Sequence, residues 1–278
     1  MRTDFAIFIL SHGRAKQQTT LNAIQRAGYT GRYYFIVDDL DSDLALYQEL
    51  YGDNVIVFDK ELWAEQTDTV TSTGELRSVV FARNACYEIA ERLGLKFFAE
   101  FDDDLESFSI RYEDSGSLKG RAVTRLDDVI EAMIAFQEAS GAVSVGFESS
   151  GGLIGGLQGR FSRGVLNNLH QAFILRTDKR IEFKGILNEN SIANEWCNTT
   201  GRLALEICQL VQSCPVRSKN TGGLRALYEA NSEYVRAFYS VIAFPNVLSI
   251  AERSGNITLL RKPNSVVKII SERWKKHA

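Results

Sequence analysis

Three consecutive aspartates, Asp102, Asp103 and Asp104, follow a run of mostly apolar residues at 96–101. The run is typical of a short buried strand, because phenylalanine and alanine dominate it. Three ionised carboxylates side by side repel one another unless a cation lies among them. Carboxylate oxygens suit Mg²⁺ or Mn²⁺ that carries a phosphorylated ligand. The triplet therefore predicts a site for such an ion at the end of a strand.

A second polar group follows the first strand-like run, Phe5–Leu10, and consists of Ser11, His12, Gly13 and Arg14. These residues open a predicted helix. The free N–H groups of a helix N-terminus favour phosphate, and an arginine can add a bidentate contact. A capping serine beside a surface arginine is the alternative interpretation.

A third polar group, Asp38 and Asp39, ends the strand-like run at 33–37. Parallel strands place their carboxyl ends along one crevice of the sheet, where ligands bind. We therefore expect these two carboxylates to lie beside the aspartate triplet.

Arg83 interrupts the apolar stripe of a helix that is predicted at 75–93. An unpaired buried charge is costly, so this arginine must pair with an anion or reach a ligand. The two interpretations are an internal ion pair with Asp102 or Asp104 and a contact with the bound ligand. Both direct Arg83 towards the carboxylates.

Strand-like runs and helical stretches alternate over the first hundred residues and must position these side chains. The strands are predicted at Phe5–Leu10, 33–37, 54–58 and 96–101, and the helices at 15–27, 44–50 and 75–93. A glycine follows each helix and stops it. Such alternation predicts βαβ crossovers and an α/β fold, with a mostly parallel, Rossmann-like central sheet flanked by helices.

The composition sets limits on the function. The chain has 278 residues, of which 45% are hydrophobic, so it can bury a sizeable core. Four cysteines without a CxxC spacing argue against a zinc site or a disulfide framework. No apolar run is long enough for a membrane span or a signal peptide, so we expect no membrane partner and a cytoplasmic location.

The formal net charge of −3 hides an asymmetry between the two halves of the chain. Residues 1–139 carry 14 Lys/Arg against 25 Asp/Glu, whereas residues 140–278 carry 18 against 10. The asymmetry indicates a polyanionic partner for the second half, or chance clustering of solvated charges. The basic residues that crowd this half are Arg160, Arg163, Arg176, Lys179, Arg180, Lys184, Arg253, Arg261, Lys262, Lys268, Arg273, Lys275 and Lys276.

The stretch FARNACYEIAERLGLKFFAEFDDD, residues 81–104, resembles the nucleotide-sugar-dependent glycosyltransferases of GT-A fold. Later stretches at 183–196, 218–247 and 266–274 look like the TET/JBP-associated glycosyltransferases, a family encoded largely by bacteriophages. The resemblance implies a single GT-A domain over residues 1–278. Its nucleotide-sugar-binding half would span 1–115, and its acceptor-binding half, with a C-terminal extension, would span 116–278.

The resemblance also implies roles on the donor side. Asp102 and Asp104 would hold Mn²⁺ or Mg²⁺, and Arg83 would help to neutralise the diphosphate leaving group. The residues expected to bind the nucleotide sugar are Ser11, His12, Gly13, Arg14, Asp38, Asp39, Arg77, Arg83, Asn84, Asp102 and Asp103.

On the acceptor side, the family's acidic pair reads Glu189-Asn190 in this chain. Asparagine cannot accept a proton, so Glu189 is the expected base for the acceptor hydroxyl. If the second position supplies the base in the family, another group must serve here, and His170 is the next candidate. The residues expected to bind the acceptor are Lys219, Asn220, Gly222 and Gly223.

Together these features imply a metal-dependent glycosyltransferase. The donor would be a UDP-sugar of the UDP-glucose or UDP-pentose class. The acceptor would be the hydroxymethyl group of 5-hydroxymethylcytosine or 5-hydroxymethyluracil in double-stranded DNA, modified in the host cytoplasm if a phage encodes the chain. The alternatives are a GT-A enzyme that acts on a surface glycan and a non-catalytic module that binds a nucleotide sugar or DNA. The sequence does not fix the sugar, the stereochemistry or the oligomeric state.

Overall fold

A computed structural model of the chain describes residues 1–71, 74–149, 155–215, 231–253 and 255–262. The predicted acceptor-binding residues Lys219, Asn220, Gly222 and Gly223 lie outside these ranges, as do the basic residues Lys268, Arg273, Lys275 and Lys276.

Strands and helices alternate along the first half of the chain, as the sequence predicts. The strands are β1 Phe5–Leu10, β2 Arg32–Asp38, β3 Val55–Phe58, β4 Phe97–Asp102, β5 Ser107–Asp114, β6 Ser117–Ala122, β7 Ser144–Ser149, β8 Val165–Asn167, β9 Ala172–Arg176, β10 Ala204–Ser213, β11 Leu248–Arg253 and β12 Asn256–Arg261. The α-helices are α1 Thr19–Arg26, α2 Leu44–Tyr51, α3 Lys60–Gln66, α4 Val80–Arg92, α5 Leu126–Ser140, α6 Glu189–Thr199 and α7 Glu233–Ala243.

A large mixed sheet forms the centre of the molecule, with the strand order β3-β2-β1-β4-β9-β7-β10-β5-β6 and β8 beside β10. Strands β1 to β4 run parallel, and β10 runs parallel to β7. Strand β9 is antiparallel to both of its neighbours, and the β5–β6 hairpin is antiparallel to β10. The predicted α/β fold is confirmed. Both halves of the chain contribute strands to this one sheet.

Alternate residues of the central strand β1 enter two separate hydrophobic cores, one on each face of the sheet. Phe5, Ile7 and Ile9 pack with α1 and α5, whereas the residues between them pack with α3, α4 and α6. Every residue of β1 is buried, as expected for a strand covered by helices on both faces. The strand ends are therefore the places where polar groups of the sheet meet solvent.

Two predicted helices begin later than expected. Helix α1 begins at Thr19, and the backbone N–H of Ala15 in the segment before it donates to the side chain of Asp43. Helix α4 begins at Val80, and the hydroxyl of Ser78 before it donates to the carbonyl of Ile186. Tertiary hydrogen bonds thus anchor both leading segments.

Helix α3 is absent from the sequence-based prediction. It is only seven residues long, and Asp59 caps it by accepting a hydrogen bond from the N–H of Leu62 at 2.8 Å. Within the described residues, none of the helices has the length and apolar character needed to cross a bilayer.

Candidate active site

The carboxyl ends of β1, β2 and β4 meet at one edge of the sheet. Leu10 at the end of β1 pairs with Asp102 at the end of β4, and Asp38 ends the neighbouring strand β2. The aspartate triplet and the polar groups that follow β1 and β2 are therefore together, as the sequence predicts.

Asp103, the middle aspartate of the triplet, is buried and faces into the protein. It accepts a hydrogen bond from Ser11 Oγ at 2.7 Å and one from Arg14 Nη1 at 2.5 Å. The Ser11 hydroxyl also lies 2.6 Å from the hydroxyl of buried Tyr47. These contacts tie the loop after β1 to the end of β4. Binding of the nucleotide sugar by Asp103, Ser11 and Arg14 stays a prediction.

The same loop is not a helix N-terminus, which was the expected phosphate site. Helix α1 begins several residues after Arg14. Gly13 adopts a positive φ of 65°, which glycine tolerates best, and its N–H donates to Asp41 Oδ2 at 2.8 Å. Asp41 thus uses a backbone donor that a phosphate would otherwise have taken, and the prediction of a helix-end phosphate site here is wrong.

His12 is the most accessible polar side chain of the loop, with 47% of its side chain exposed. Its Nδ1 lies 2.7 Å from Asp38 Oδ2 and 3.5 Å from Asp41 Oδ2. The hydrogen bond with Asp38 raises the pKa of His12. The three residues offer ligand atoms within 4.8 Å of one another, a spacing that could hold a metal ion.

Lys60 already supplies a cation to that group, because its ammonium lies 3.0 Å from Asp38 Oδ2 and is buried with it. Burial alone would raise the pKa of Asp38, but His12 and Lys60 together lower it. A metal ion would have to compete with this ammonium. Asp39 is exposed and accepts a hydrogen bond from the backbone N–H of Lys60 at 2.9 Å.

Arg83 lies beneath the end of β4 at the centre of a buried ionic cluster. Its Nη1 is 3.1 Å from Glu100 Oε2, and its Nη2 is 3.0 Å from Asp102 Oδ1 and 3.6 Å from Glu189 Oε1. The guanidinium carbon lies 5.2 Å from the ring centre of Phe173. The internal ion pair with Asp102 that the sequence predicts is therefore present.

One guanidinium serves three carboxylates in this cluster. Burial raises the pKa of Glu100 to about 8 and that of Asp102 to about 7, and Arg83 counteracts both increases only in part. The same carboxylates raise the pKa of Arg83 against the effect of its burial. The cluster carries more negative than positive charge and attracts either a proton or a further cation.

The side chain of Arg83 is 0% exposed and orients the carboxylate of Asp102 through a hydrogen bond. Its contact with the diphosphate stays a prediction. Asn84 is buried: its amide donates to Thr67 Oγ1 and the carbonyl of Phe183, and its Oδ1 accepts from the N–H of Phe183. The contact between Asn84 and the nucleotide sugar also stays a prediction. Arg77 lies before α4 and is exposed, in a bidentate pair with Glu75.

Asp102 and Asp104 are the oxygen donors nearest to solvent at the end of β4. A quarter of the Asp102 side chain is exposed, and Asp104 is half-buried. Hard carboxylate oxygens beside a cluster with surplus negative charge fit Mg²⁺ or Mn²⁺. The pair is therefore a second candidate metal position, in addition to the group of His12, Asp38 and Asp41.

Glu189 is the first residue of α6 and is buried, with its carboxylate turned towards Arg83. Asn188 precedes it in a left-handed conformation, and its amide donates to the carbonyl of Arg236 at 2.6 Å. Glu189 thus contributes one of the carboxylates around Arg83, and its expected role as the base stays a prediction.

Sequence reasoning missed several polar residues that complete these groups. Glu100 and Lys60 were hidden because one lies inside an apolar strand and the other begins a short helix. The available signal was a carboxylate at a position of β4 that should be apolar. Asp41 and Tyr47 gave no such signal, because acidic loop residues and helical tyrosines are ordinary.

A cavity of about 380 Å³ opens between α3, α4 and α6 and not at this edge. Trp63, Arg180, Trp196 and Arg202 contribute to its lining, and none of the strand-end carboxylates does. The guanidinium of Arg202 stacks 4.3 Å from the ring centre of Trp196. The cavity is thus partly filled by arginine–tryptophan pairs.

A family model described as TET-Associated Glycosyltransferase matches residues 5–195 of the chain. No curated protein matches it. Glucosyl-3-phosphoglycerate synthase from Mycobacterium tuberculosis, solved with Mn²⁺, UDP-glucose and phosphoglyceric acid, is 12% identical with a TM-score of 0.46, and the match covers 95% of this chain and 88% of that one.

Two further solved structures show a likeness of the same order. S. aureus TarS 1–349 in complex with UDP-GlcNAc is 13% identical with a TM-score of 0.48, and the match covers 98% of this chain and 72% of that one. GalNAc-T7 with UDP, GalNAc and Mn²⁺ is 12% identical with a TM-score of 0.47, covering 77% and 44%. These similarities are remote, and nothing about the ligands of this chain follows from them.

Proposed function

Because the chain belongs to the TET-associated glycosyltransferase family, we propose that it transfers a sugar from a UDP-sugar to the hydroxymethyl group of a modified pyrimidine in double-stranded DNA. Family membership confirms the resemblance seen in the sequence, and it makes the chain a glycosyltransferase. Membership of the family alone does not specify the nucleotide donor, the metal or the DNA acceptor.

The observation that carries the proposal is the group of carboxylates at the end of β4, held from below by Arg83. Asp102 and Asp104 would bind a divalent ion there, and such an ion would supply positive charge to a diphosphate leaving group. Arg83 keeps Asp102 in place, because its Nη2 donates to Asp102 Oδ1 at 3.0 Å. Asp103 ties the neighbouring loop to the same strand end through Ser11 and Arg14.

The group after β1 and β2 suits the nucleoside part of the donor. His12 is half-exposed and is oriented by buried Asp38, which Lys60 holds in its charged form. An imidazole at the mouth of the crevice can donate to or accept from a nucleobase or ribose. We assign base and ribose recognition to His12 and Asp39, the two members of this group that reach solvent.

The test is a mass-spectrometric assay of duplex DNA that contains 5-hydroxymethylcytosine or 5-hydroxymethyluracil. The DNA is incubated with the protein, Mn²⁺ and a panel of UDP-sugars. We expect one sugar mass to be added per modified base with at least one donor, and no addition to unmodified DNA. Absence of transfer from every donor, with intact binding of UDP, would contradict the DNA acceptor.

A pair of aspartate variants tests the metal site in the same assay. Asp104→Asn should abolish transfer, because it removes one oxygen charge from the site. Asp114→Asn is the matched control, because Asp114 lies in the exposed β5–β6 hairpin, where its carboxylate contacts Lys119 and the hydroxyl of Ser115. Full activity of Asp104→Asn in the presence of a chelator would reject the metal-dependent mechanism.

One observation favours the glycan acceptor instead. Several of the basic residues expected to line a DNA groove are paired with carboxylates: Arg160 with Glu148, Arg176 with Asp178, Lys184 with Asp68, and Arg261 with Glu195. Paired cations release fewer counterions from DNA. Binding of duplex DNA that weakens steeply with salt supports the DNA acceptor, whereas a flat salt dependence supports a neutral glycan.

A further inference from the structure

A second buried ionic cluster lies on β7 and β10, away from Arg83. Glu148 and Glu206 are 0% and 1% exposed. Arg160 Nη1 lies 2.7 Å from Glu148 Oε1 and 3.9 Å from Glu206 Oε1. His170 Nδ1 lies 2.5 Å from Glu206 Oε2. The two carboxylates are too deeply buried to bind a large ligand themselves, so their effect passes through the arginine and the histidine.

His170 places this cluster at the same edge of the sheet as the aspartate triplet. It immediately precedes Gln171, whose carbonyl accepts a hydrogen bond from the N–H of Asp102 at 3.1 Å. Strand β9 then runs antiparallel to β4, away from the edge. His170 is therefore at the crevice next to Asp102, on the side opposite to β1 and the proposed nucleoside group.

The geometry around His170 is that of an oriented acid–base group. A carboxylate can only accept a hydrogen bond, so Nδ1 carries the proton towards Glu206 and leaves Nε2 as the basic nitrogen. About 29% of the His170 side chain is exposed, enough for contact with a small group. The amide of Asn168 donates to Glu206 Oε2 at 3.0 Å and lies 3.3 Å from His170 Nε2.

The buried carboxylates also keep acceptor capacity that the described contacts do not use. Glu206 Oε1 and Glu148 Oε2 make no hydrogen bond, although both atoms are buried. Such oxygens are costly unless they face positive charge. A proton that arrives on His170 converts the ring into an imidazolium beside Glu206, and that charge pair would offset the cost.

We propose that His170, oriented by Glu206, accepts the proton of the attacking hydroxyl in the transfer reaction. The hydroxyl oxygen forms the new bond to the anomeric carbon of the sugar, and its proton moves to His170 Nε2. The bond between that carbon and the diphosphate oxygen breaks, and its electron pair leaves with UDP. Glu206 is a positioning residue, and it stabilises the imidazolium that results.

This proposal depends on the proposed glycosyl transfer but not on DNA as the acceptor. It explains how the chain can act although asparagine occupies position 190 and Glu189 faces Arg83. Within the described chain, the titratable and charged groups on the elements around His170 include Glu206 and Cys208 on β10, Glu148 on β7, Arg160 in the segment before β8, Arg111 on β5, Asp102 at the end of β4 and Cys214 after β10.

The experiment measures release of UDP from a UDP-sugar between pH 5 and 9, with water and with hydroxymethylated duplex DNA as acceptors. His170→Asn should lower the rate by ~10²–10⁴ and remove the acidic limb of the pH profile. Glu206→Gln should lower the rate less than His170→Asn does, because the imidazole remains but loses the carboxylate that orients it. Binding of UDP should be unchanged in both variants.

Glu189→Gln is the comparison that separates the two candidate bases. If it removes the acidic limb while His170→Asn keeps the wild-type profile, the proposal is overturned. If neither the wild type nor any variant modifies DNA, but release of UDP to water still depends on His170, only the proposal of DNA as the acceptor is rejected. Should thermal unfolding show that His170→Asn is not folded, His170→Gln gives the same test with a longer amide.

Nitrogen NMR of the histidine rings tests the orientation without any turnover. We expect His170 to carry its neutral-pH proton on Nδ1 in the wild-type protein and to lose this preference in Glu206→Gln. A wild-type ring protonated on Nε2 instead would remove the basic nitrogen from the crevice and reject the assignment. The chain has only three histidines, which makes the signals straightforward to assign.

Discussion

Two ionic clusters lie on the same face of the central sheet, and they are built differently. Glu100, Phe173, Gly146 and Glu206 sit side by side across β4, β9, β7 and β10, with a cluster at each end of the row. At one end, a fully buried arginine from the long helix α4 serves three carboxylates. At the other end, carboxylates of two strands face half-exposed partners, Arg160 and His170.

This difference in construction suits one cluster to positioning a carboxylate and the other to proton transfer. A guanidinium cannot lose its proton in a protein, and a buried one cannot leave its partners without a large cost. The cluster around Arg83 is therefore suited to holding Asp102 in one place. An imidazole ring has one nitrogen that can accept a proton and one that can donate it, and part of the His170 ring reaches solvent. The second cluster is thus the one that can exchange protons with a substrate.

The largest expected effect is on stability, in Arg83→Met. Removing the guanidinium leaves buried carboxylates without a counter-charge, so we expect the free energy of unfolding to fall by about 3–5 kcal/mol at neutral pH. Urea unfolding measures it. The loss should shrink at acid pH, where the carboxylates become protonated. A loss of less than about 1 kcal/mol at pH 7 would show that the cluster does not depend on this charge.

The next effect is a pH dependence of stability that Glu100 should cause. Its pKa is about 8 in the folded chain and 4.5 in an unperturbed glutamate, so the folded state retains the proton longer. Stability is therefore greatest below pH 4.5 and falls as the pH rises to about 8, with a slope of at most about 1.4 kcal/mol per pH unit from this group.

Glu100→Gln should flatten that slope, since glutamine does not titrate, and unfolding midpoints at pH 5, 6, 7 and 8 measure the change. Asp178→Asn serves as the control, because this exposed carboxylate has a lowered pKa and should leave the slope between pH 5 and 8 unchanged. A Glu100→Gln slope equal to that of the wild type would mean that Glu100 is ionised throughout this range.

A smaller effect is expected for Arg160→Met in the second cluster. The variant leaves Glu148 buried without its closest cation, which should cost about 1–3 kcal/mol of stability. The cost is smaller than for Arg83 because 42% of the Arg160 side chain is exposed and water can approach. Urea unfolding of Arg83→Met and Arg160→Met measures the loss of stability in each. Equal losses would contradict the expected difference between the two clusters.

The smallest effect on stability belongs to His170→Gln. The imidazole is partly exposed, and Asn168 still donates to Glu206, so we expect a loss of about 1 kcal/mol or less. This variant should therefore lose most of its turnover in the activity assay while its thermal stability changes little. A stability loss as large as that of Arg83→Met would indicate that His170 is structural.

The sequence was sufficient for the parts of the molecule that depend on local pattern. The bounds of β1 were predicted as observed, because the strand is apolar throughout and bounded by polar residues. Arg83 was recognised as an ionic residue directed at the carboxylates, because a charge within an apolar helical stripe has few explanations. The meeting of the aspartate triplet with Ser11 and Asp38 followed from parallel topology alone.

Side-chain pairings between segments that are distant in the chain could not be predicted from the sequence. Nothing in the local pattern indicates that Glu206 meets His170, or that Ser11 would occupy Asp103. The segment before α1 is anchored by a hydrogen bond from the N–H of Ala15 to Asp43, which no helix signal contains. Whether a polar side chain points at a ligand or at a neighbour is decided by such tertiary contacts.

The position of β9 in the sheet implies an order in which the strands assemble during folding. It separates β4 from β7 in the sheet, yet the ribosome makes it only after β5, β6, α5, β7 and β8. The parallel group β1 to β4 can therefore form early, while the open side of β4 waits for a partner that arrives much later. Closing so long a loop is slow, and an unpaired strand edge invites association with other chains in the meantime. Because His170 immediately precedes β9, this late step also brings the two ionic clusters into one row.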